Sequence, residues 1–65
     1  MLDNDPPPGT PVRFLTEVRK ARRGNVGKLV RPLRTYYVER PDDEFEVSFE
    51  GEIIVVKRSE IEKSA

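Results

Sequence analysis

The strongest constraint on this chain is the stretch "FEVSFEGEIIVVK", residues 45–57. "FEVSF" alternates, putting Phe45, Val47 and Phe49 on one face and Glu46 and Ser48 on the other, the period-two pattern of a half-buried strand. Glu50 and Gly51 separate it from "EIIVVK", a β-branched run. Two strand-like runs with a short glycine-containing connection predict an antiparallel hairpin turning at Glu50 and Gly51. Upstream, "PDDE" (41–44) predicts a turn, with proline fixing φ and aspartate bonding nearby backbone. Tyr36, Tyr37 and Val38 suit another strand. So does "GKLVRPL", with Leu29 and Leu33 inward and Pro32 at an edge, bulge or strand end because it lacks a backbone donor. "RSEIEKS" predicts a single helical turn with Ser59 as a cap, and Ile61 reaching back to the core.

Residues 10–24 admit two readings. Thr10 as N-cap, Pro11 at the first position and Gly24 beyond the end predict a helix, with Phe14, Leu15, Val18 and Ala21 on one face. The competing reading is a short strand at Val12–Leu15 followed by a long basic loop. The helix gives an α+β fold, one helix on an antiparallel sheet; the strand gives an all-β barrel. Residues 1–9 hold three consecutive prolines beside Asp3, Asn4 and Asp5. They read as a flexible tail favouring extended polyproline geometry, before a single domain over 10–65. A chain of 65 residues buries only about 60% of its surface on folding. The expected inward set is Val12, Phe14, Val26, Leu29, Phe45, Val47, Phe49, Ile53, Val55 and Ile61.

The chain has no cysteine and no histidine. That removes disulfides, thiolate nucleophiles, most zinc sites and any Ser-His or Cys-His arrangement. Asp42, Asp43, Glu44, Glu46 and Glu50 are carboxylates, but nothing in the sequence buries them, so their pKa values have no reason to approach neutrality. Their spacing is not that of a calcium loop. They read as a solubilising surface. No catalytic group, cofactor or metal is expected. With no long apolar segment, the chain reads as cytoplasmic, without membrane insertion.

What remains is charge. The net charge is zero, yet Arg13 to Arg34 holds eight cations against Glu17 alone, a net +7. Residues 39–62 hold nine carboxylates against three cations, a net −6. Such a split marks an interaction surface, unless the halves neutralise each other across one sheet. The candidate binding residues are Arg19, Lys20, Arg22, Arg23, Lys28, Arg31 and Arg34, since arginine offers a planar fork for anions. Tyr36 joins them as the aromatic beside Arg34, suited to base stacking or to a protein interface. Gly24, Gly27 and Gly51 are assigned to turns.

"RGNVGKLV" resembles the KOW motif of ribosomal and transcription-elongation proteins, with Gly24 and Gly27 three apart and Val26 and Leu29 at its hydrophobic positions. The succession "PGTPVRFL", "RRGNVGKLVR", "DDEFEVSFEG" and "IIVVKRSEIE" is similar to small SH3-like barrels. Among these are the peripheral photosystem I subunit and the variable chain of ferredoxin-thioredoxin reductase. The resemblance implies a five-stranded SH3-like barrel closed by a one-turn helix and a last short strand. It also implies a non-catalytic accessory subunit or adaptor docking an acidic protein surface, an electron-transfer protein being one such class. The KOW-like piece implies the alternative, an RNA-binding module using the same basic loop.

Overall fold

The computed structural model describes residues 1–33 and 38–64. It contains five antiparallel strands in one sheet: β1 (Pro11–Phe14), β2 (Val26–Pro32), β3 (Glu44–Phe49), β4 (Glu52–Lys57) and β5 (Ile61–Lys63). A 3-10 turn, Arg58–Glu60, joins β4 to β5. The strand order is β4-β3-β2-β1-β5, so the chain meanders through four strands and returns to pair its last with its first. Among the described residues there is no α-helix, and 11–14 form a strand followed by a loop. The tertiary pairing of Pro11–Phe14 with both β2 and β5 overrides the local helix signals of this segment.

The β3–β4 hairpin forms where the sequence places it. Phe49 pairs with Glu52, and Glu50 and Gly51 take φ of 49° and 81°. Two successive positive φ values are the mark of the type I′ turn, whose twist matches that of the strands it joins. In β2 the register shifts between Leu29 and Arg31, an extra residue that bends the strand. Pro32 ends it.

One face of every strand contributes to a single core of Leu2, Val12, Phe14, Ala21, Leu29, Phe45, Val47, Ile54, Val56 and Ile61. One sheet burying residues from all five of its strands in one cluster must curl around that cluster, because a flat sheet leaves one face in water. Phe49 is only half-buried, its ring edge-on to Phe14 at 5.7 Å.

Several expectations are corrected. Ile53 and Val55 face outward, 55% and 41% exposed, while Ile54 and Val56 face the core. Residues opposite each other in a sheet share a face, and Val47 is opposite Ile54. Val26 is 47% exposed, opposite the outward Arg13. Gly27 is not a turn residue. It lies in β2, where an added Cβ comes within 2.7 Å of the Ser48 carbonyl oxygen and 2.8 Å of the Val47 side chain. Val38 is an exposed bend rather than strand. Ser59 lies inside the 3-10 turn and does not cap it; the Glu60 carboxylate accepts from the Lys57 amide at 2.7 Å.

Within residues 1–9, expected as a flexible tail, Leu2 is buried and its amide donates to the Arg58 carbonyl at 3.1 Å, while Asp3, Asn4, Asp5, Pro7, Pro8 and Gly9 are exposed. Asp43, grouped with the solvated acids, is buried against Arg58. Both departures depend on contacts far apart in sequence.

Candidate functional site

The basic segment folds into an anchored loop between β1 and β2. Its base is fixed where the Phe14 amide donates to the Asn25 carbonyl (2.9 Å) and the Gly24 amide to the Phe14 carbonyl (2.8 Å). Gly24 takes a φ of 91° with open space around it, so here glycine serves backbone conformation alone. The Asn25 side-chain oxygen accepts from the Arg22 amide at 2.9 Å. Midway, Val18 and Ala21 exchange backbone bonds of 2.9 and 3.0 Å. Ala21 is in the core and Val18 packs against it. Arg19 and Lys20 therefore stand at the tip of a two-residue turn. Arg19 has φ of 51°, a left-handed conformation that side-chain-bearing residues avoid.

The loop is held from outside as well. Lys20 Nζ donates to the Glu50 carbonyl and pairs with the Glu52 carboxylate, both at 3.3 Å. The Leu15 amide donates to the Glu60 carbonyl at 2.8 Å. A loop of eleven residues, 15–25, is thus fastened to its own base, to the core, to the β3–β4 turn and to the 3-10 turn. It presents its cations from a fixed frame.

The cations divide into two classes. Arg13 pairs with Glu62 at 3.4 Å, Lys20 with Glu52, and Arg31 with Glu46 at 2.7 Å. These join the basic half to the acidic half. The Glu46 hydrogen bond, and secondarily its charge, raises the Arg31 pKa above its ordinary value. Arg19, Arg22, Arg23 and Lys28 are exposed, and among the described residues no carboxylate pairs with their side chains. Cross-sheet neutralisation therefore accounts for part of the basic segment and leaves these four. Arg34 and Tyr36 lie outside the described residues.

Lys28 is opposite Pro11 on one side and Ser48 on the other. It borders a shallow hollow of about 730 Å³ lined also by Val26, Gly27, Phe49 and Glu50. On the same face, two strands away, Ile53, opposite Ser48, and Val55, opposite Glu46, form an exposed apolar strip on β4. This strip departs from the expectation that Ile53 and Val55 face the core. The two-residue β3–β4 turn was the signal that fixes it, since it sets which residues of β4 lie opposite the inward residues of β3.

The other cation cluster missed in the sequence is Arg58, 1% exposed. Its Nε donates to Asp43 Oδ2 at 3.1 Å, its Nη2 to Asp5 Oδ1 at 2.9 Å, and its Nη1 to the carbonyls of Leu2 (3.1 Å) and Asn4 (2.6 Å). The guanidinium carbon lies 4.8 Å from the Phe45 ring centroid. Burial alone lowers the Arg58 pKa, but the hydrogen bonds and charges of Asp5 and Asp43 outweigh it, and the net direction is up. This arginine is committed to structure.

Among the described residues no three carboxylates gather to hold a metal ion, and no helix is long and apolar enough to cross a membrane. No family model, curated protein or solved structure matches the chain.

Proposed function

We propose that this chain is a non-catalytic binding module, an accessory subunit or adaptor that docks on an acidic protein surface through the loop at 15–25. One observation carries the reading. Arg19, Arg22, Arg23 and Lys28 stay exposed without carboxylate partners among the described residues, although the chain holds as many acids as cations. Their loop is fastened at four points, so little conformational freedom is lost when a partner orders it. The cations steer an acidic partner by long-range attraction; Val26 supplies apolar contact beside Lys28, and the β4 strip of Ile53 and Val55 adds apolar surface on the same face. The SH3-like reading draws support from the strand order, a four-strand meander whose fifth strand returns to the first. An acidic electron-transfer protein within a larger complex is the partner class that the resemblance brings forward.

An RNA strand is the rival partner for the same cations. The zero net charge and the apolar strip favour protein, since dedicated nucleic-acid domains are basic overall. Capture of partners by the native chain and by an Arg19→Glu, Arg22→Glu, Arg23→Glu variant tests the proposal. The variant is expected to lose an acidic partner that the native chain retains. An unchanged partner set removes the loop from the docking face. Steeply salt-dependent RNA retention between about 50 and 200 mM salt transfers the loop to the rival reading.

A further inference from the structure

The contacts of Arg58 with the first residues of the chain have the form of a bound peptide. Residues 2–5 supply a buried aliphatic side chain (Leu2), two backbone carbonyls (Leu2 and Asn4) and a carboxylate (Asp5). The rest of the domain supplies the apolar socket, the Arg58 fork and the Arg58 carbonyl that accepts the Leu2 amide. None of these contacts requires that the two sides belong to one chain.

The connection between them is short and stiff. Pro6, Pro7 and Pro8 precede a turn in which the Thr10 amide and hydroxyl both donate to the Pro7 carbonyl, at 3.2 and 2.7 Å. Gly9 in that turn has φ of 89°, the geometry of a Pro-Gly type II turn. Between tip and turn, Pro6 and Pro7 border, with Met1, Asp3 and Asn4, a hollow of about 430 Å³ against Glu62 and Lys63. The segment is an arm fixed at its tip and at its turn. A proline-rich connector that opens at its turn extends by about 3.1 Å per residue.

We propose that the Arg58 site is exchangeable and takes residues 2–5 of a second copy of this chain, giving a closed dimer with two reciprocal arms. Exchange of an identical element reproduces the native contacts twice, and only the turn has to change. The occupant is defined by the chemistry of the site: an aliphatic side chain followed three residues later by a carboxylate.

The test removes the turn and keeps the remaining chain. Deleting Pro8 and Gly9 removes the turn that directs the arm back to its own Arg58. The shortened chain is expected to sediment as a dimer, and to return to monomer when Leu2→Ala and Asp5→Ala are added. A shortened chain that stays monomeric to about 1 mM, the effective concentration of a short tethered segment, overturns the exchange. A second measurement covers a shortened chain that fails to fold. The full chain carrying Leu2→Ala and Asp5→Ala is titrated with the synthetic peptide MLDNDPPP. A saturable rise in its melting temperature is expected, with at least a tenfold weaker response to the peptide carrying Asp5→Asn, roughly the cost of one charged hydrogen bond. No rise at about 1 mM peptide overturns the site itself.

Discussion

Arg58 and the arginines of the 15–25 loop are the same residue type put to opposite uses. Arg58 is sealed beneath the arm with two carboxylates and two carbonyls around it. Arg19, Arg22 and Arg23 stand in water on a loop whose anchors are backbone bonds, Ala21 and the side chains of Lys20 and Asn25. The buried arginine stabilises because removing it takes from buried Asp43 a charged partner, leaving the Arg40 amide at 2.9 Å to one oxygen of that carboxylate. The exposed ones contribute little to folding and are free to meet a partner. Charge counting sees no difference between them; the position of their acceptors decides.

The most direct attempt to break this contrast is Arg58→Ala. Removing one member of a buried ion pair costs about 3–5 kcal/mol, against a total stability of about 5–15 kcal/mol for a domain. At about 4–8 °C per kcal/mol for so small a domain, the melting temperature is expected to fall by more than about 10 °C. Asp5→Ala, at a partly exposed partner, is expected to cost less, because Arg58 keeps Asp43. Equal losses for the two variants in thermal denaturation show that the arm, not the buried pair, carries the stabilisation. The folded Arg58 pKa is raised, so its contribution is complete below the ordinary arginine pKa and fades only as pH climbs through the folded value. Loss of stability at a pH below the ordinary arginine value, measured by thermal denaturation, shows that the Arg58 network is not what fails.

A second contrast lies between two glycines three residues apart. Gly27→Ala drives a methyl into the Ser48 carbonyl and Val47, overpacking expected to cost about 1–3 kcal/mol. Gly24→Ala meets no atom within 4 Å but forces alanine to positive φ, at about 1–2 kcal/mol. The two separate on a neighbouring change: Val47→Ala is expected to recover part of the Gly27→Ala loss in a double-mutant cycle and none of the Gly24→Ala loss.

These residues also show what the sequence made legible. The β3 alternation and the two-residue turn after it are local signals, and both are found in the structure. "EIIVVK" offers four apolar residues in a row, so periodicity alone supports either face. The turn resolves this by pairing Phe49 with Glu52 and hence Val47 with Ile54. The loop cations were legible as a group, because exposure of a charged glycine-flanked segment needs no tertiary knowledge. Which of them stay unpaired was not, since Glu46, Glu52 and Glu62 come from later strands. Arg58 was invisible for the same reason: within "KRSE" it looks like surface, and its acceptors lie 15 and 53 residues away.

On the exposed side, the Arg19→Glu, Arg22→Glu, Arg23→Glu variant sharpens the contrast through stability. Surface substitutions of this kind usually shift stability by no more than about 0.5 kcal/mol each. The variant is expected to melt no more than about 6–12 °C from the native chain, below the loss of Arg58→Ala, while losing its partner. A collapse in melting temperature comparable to that of Arg58→Ala removes the distinction between the two kinds of arginine.

The smallest expected effect is the most telling about the loop. Arg19 sits at φ of 51°, which costs a side-chain-bearing residue about 1–2 kcal/mol relative to its relaxed backbone. Glycine relieves that strain but loses about 0.5–1 kcal/mol in chain entropy. Arg19→Gly is therefore expected to leave stability unchanged or raise it by up to about 1.5 kcal/mol, a gain of up to about 10 °C by calorimetry. Backbone strain retained in a folded chain clusters at functional sites, so the same variant is expected to weaken partner capture while melting no lower than native. A fall in melting temperature instead assigns the Arg19 side chain a structural contact and takes it out of the docking surface.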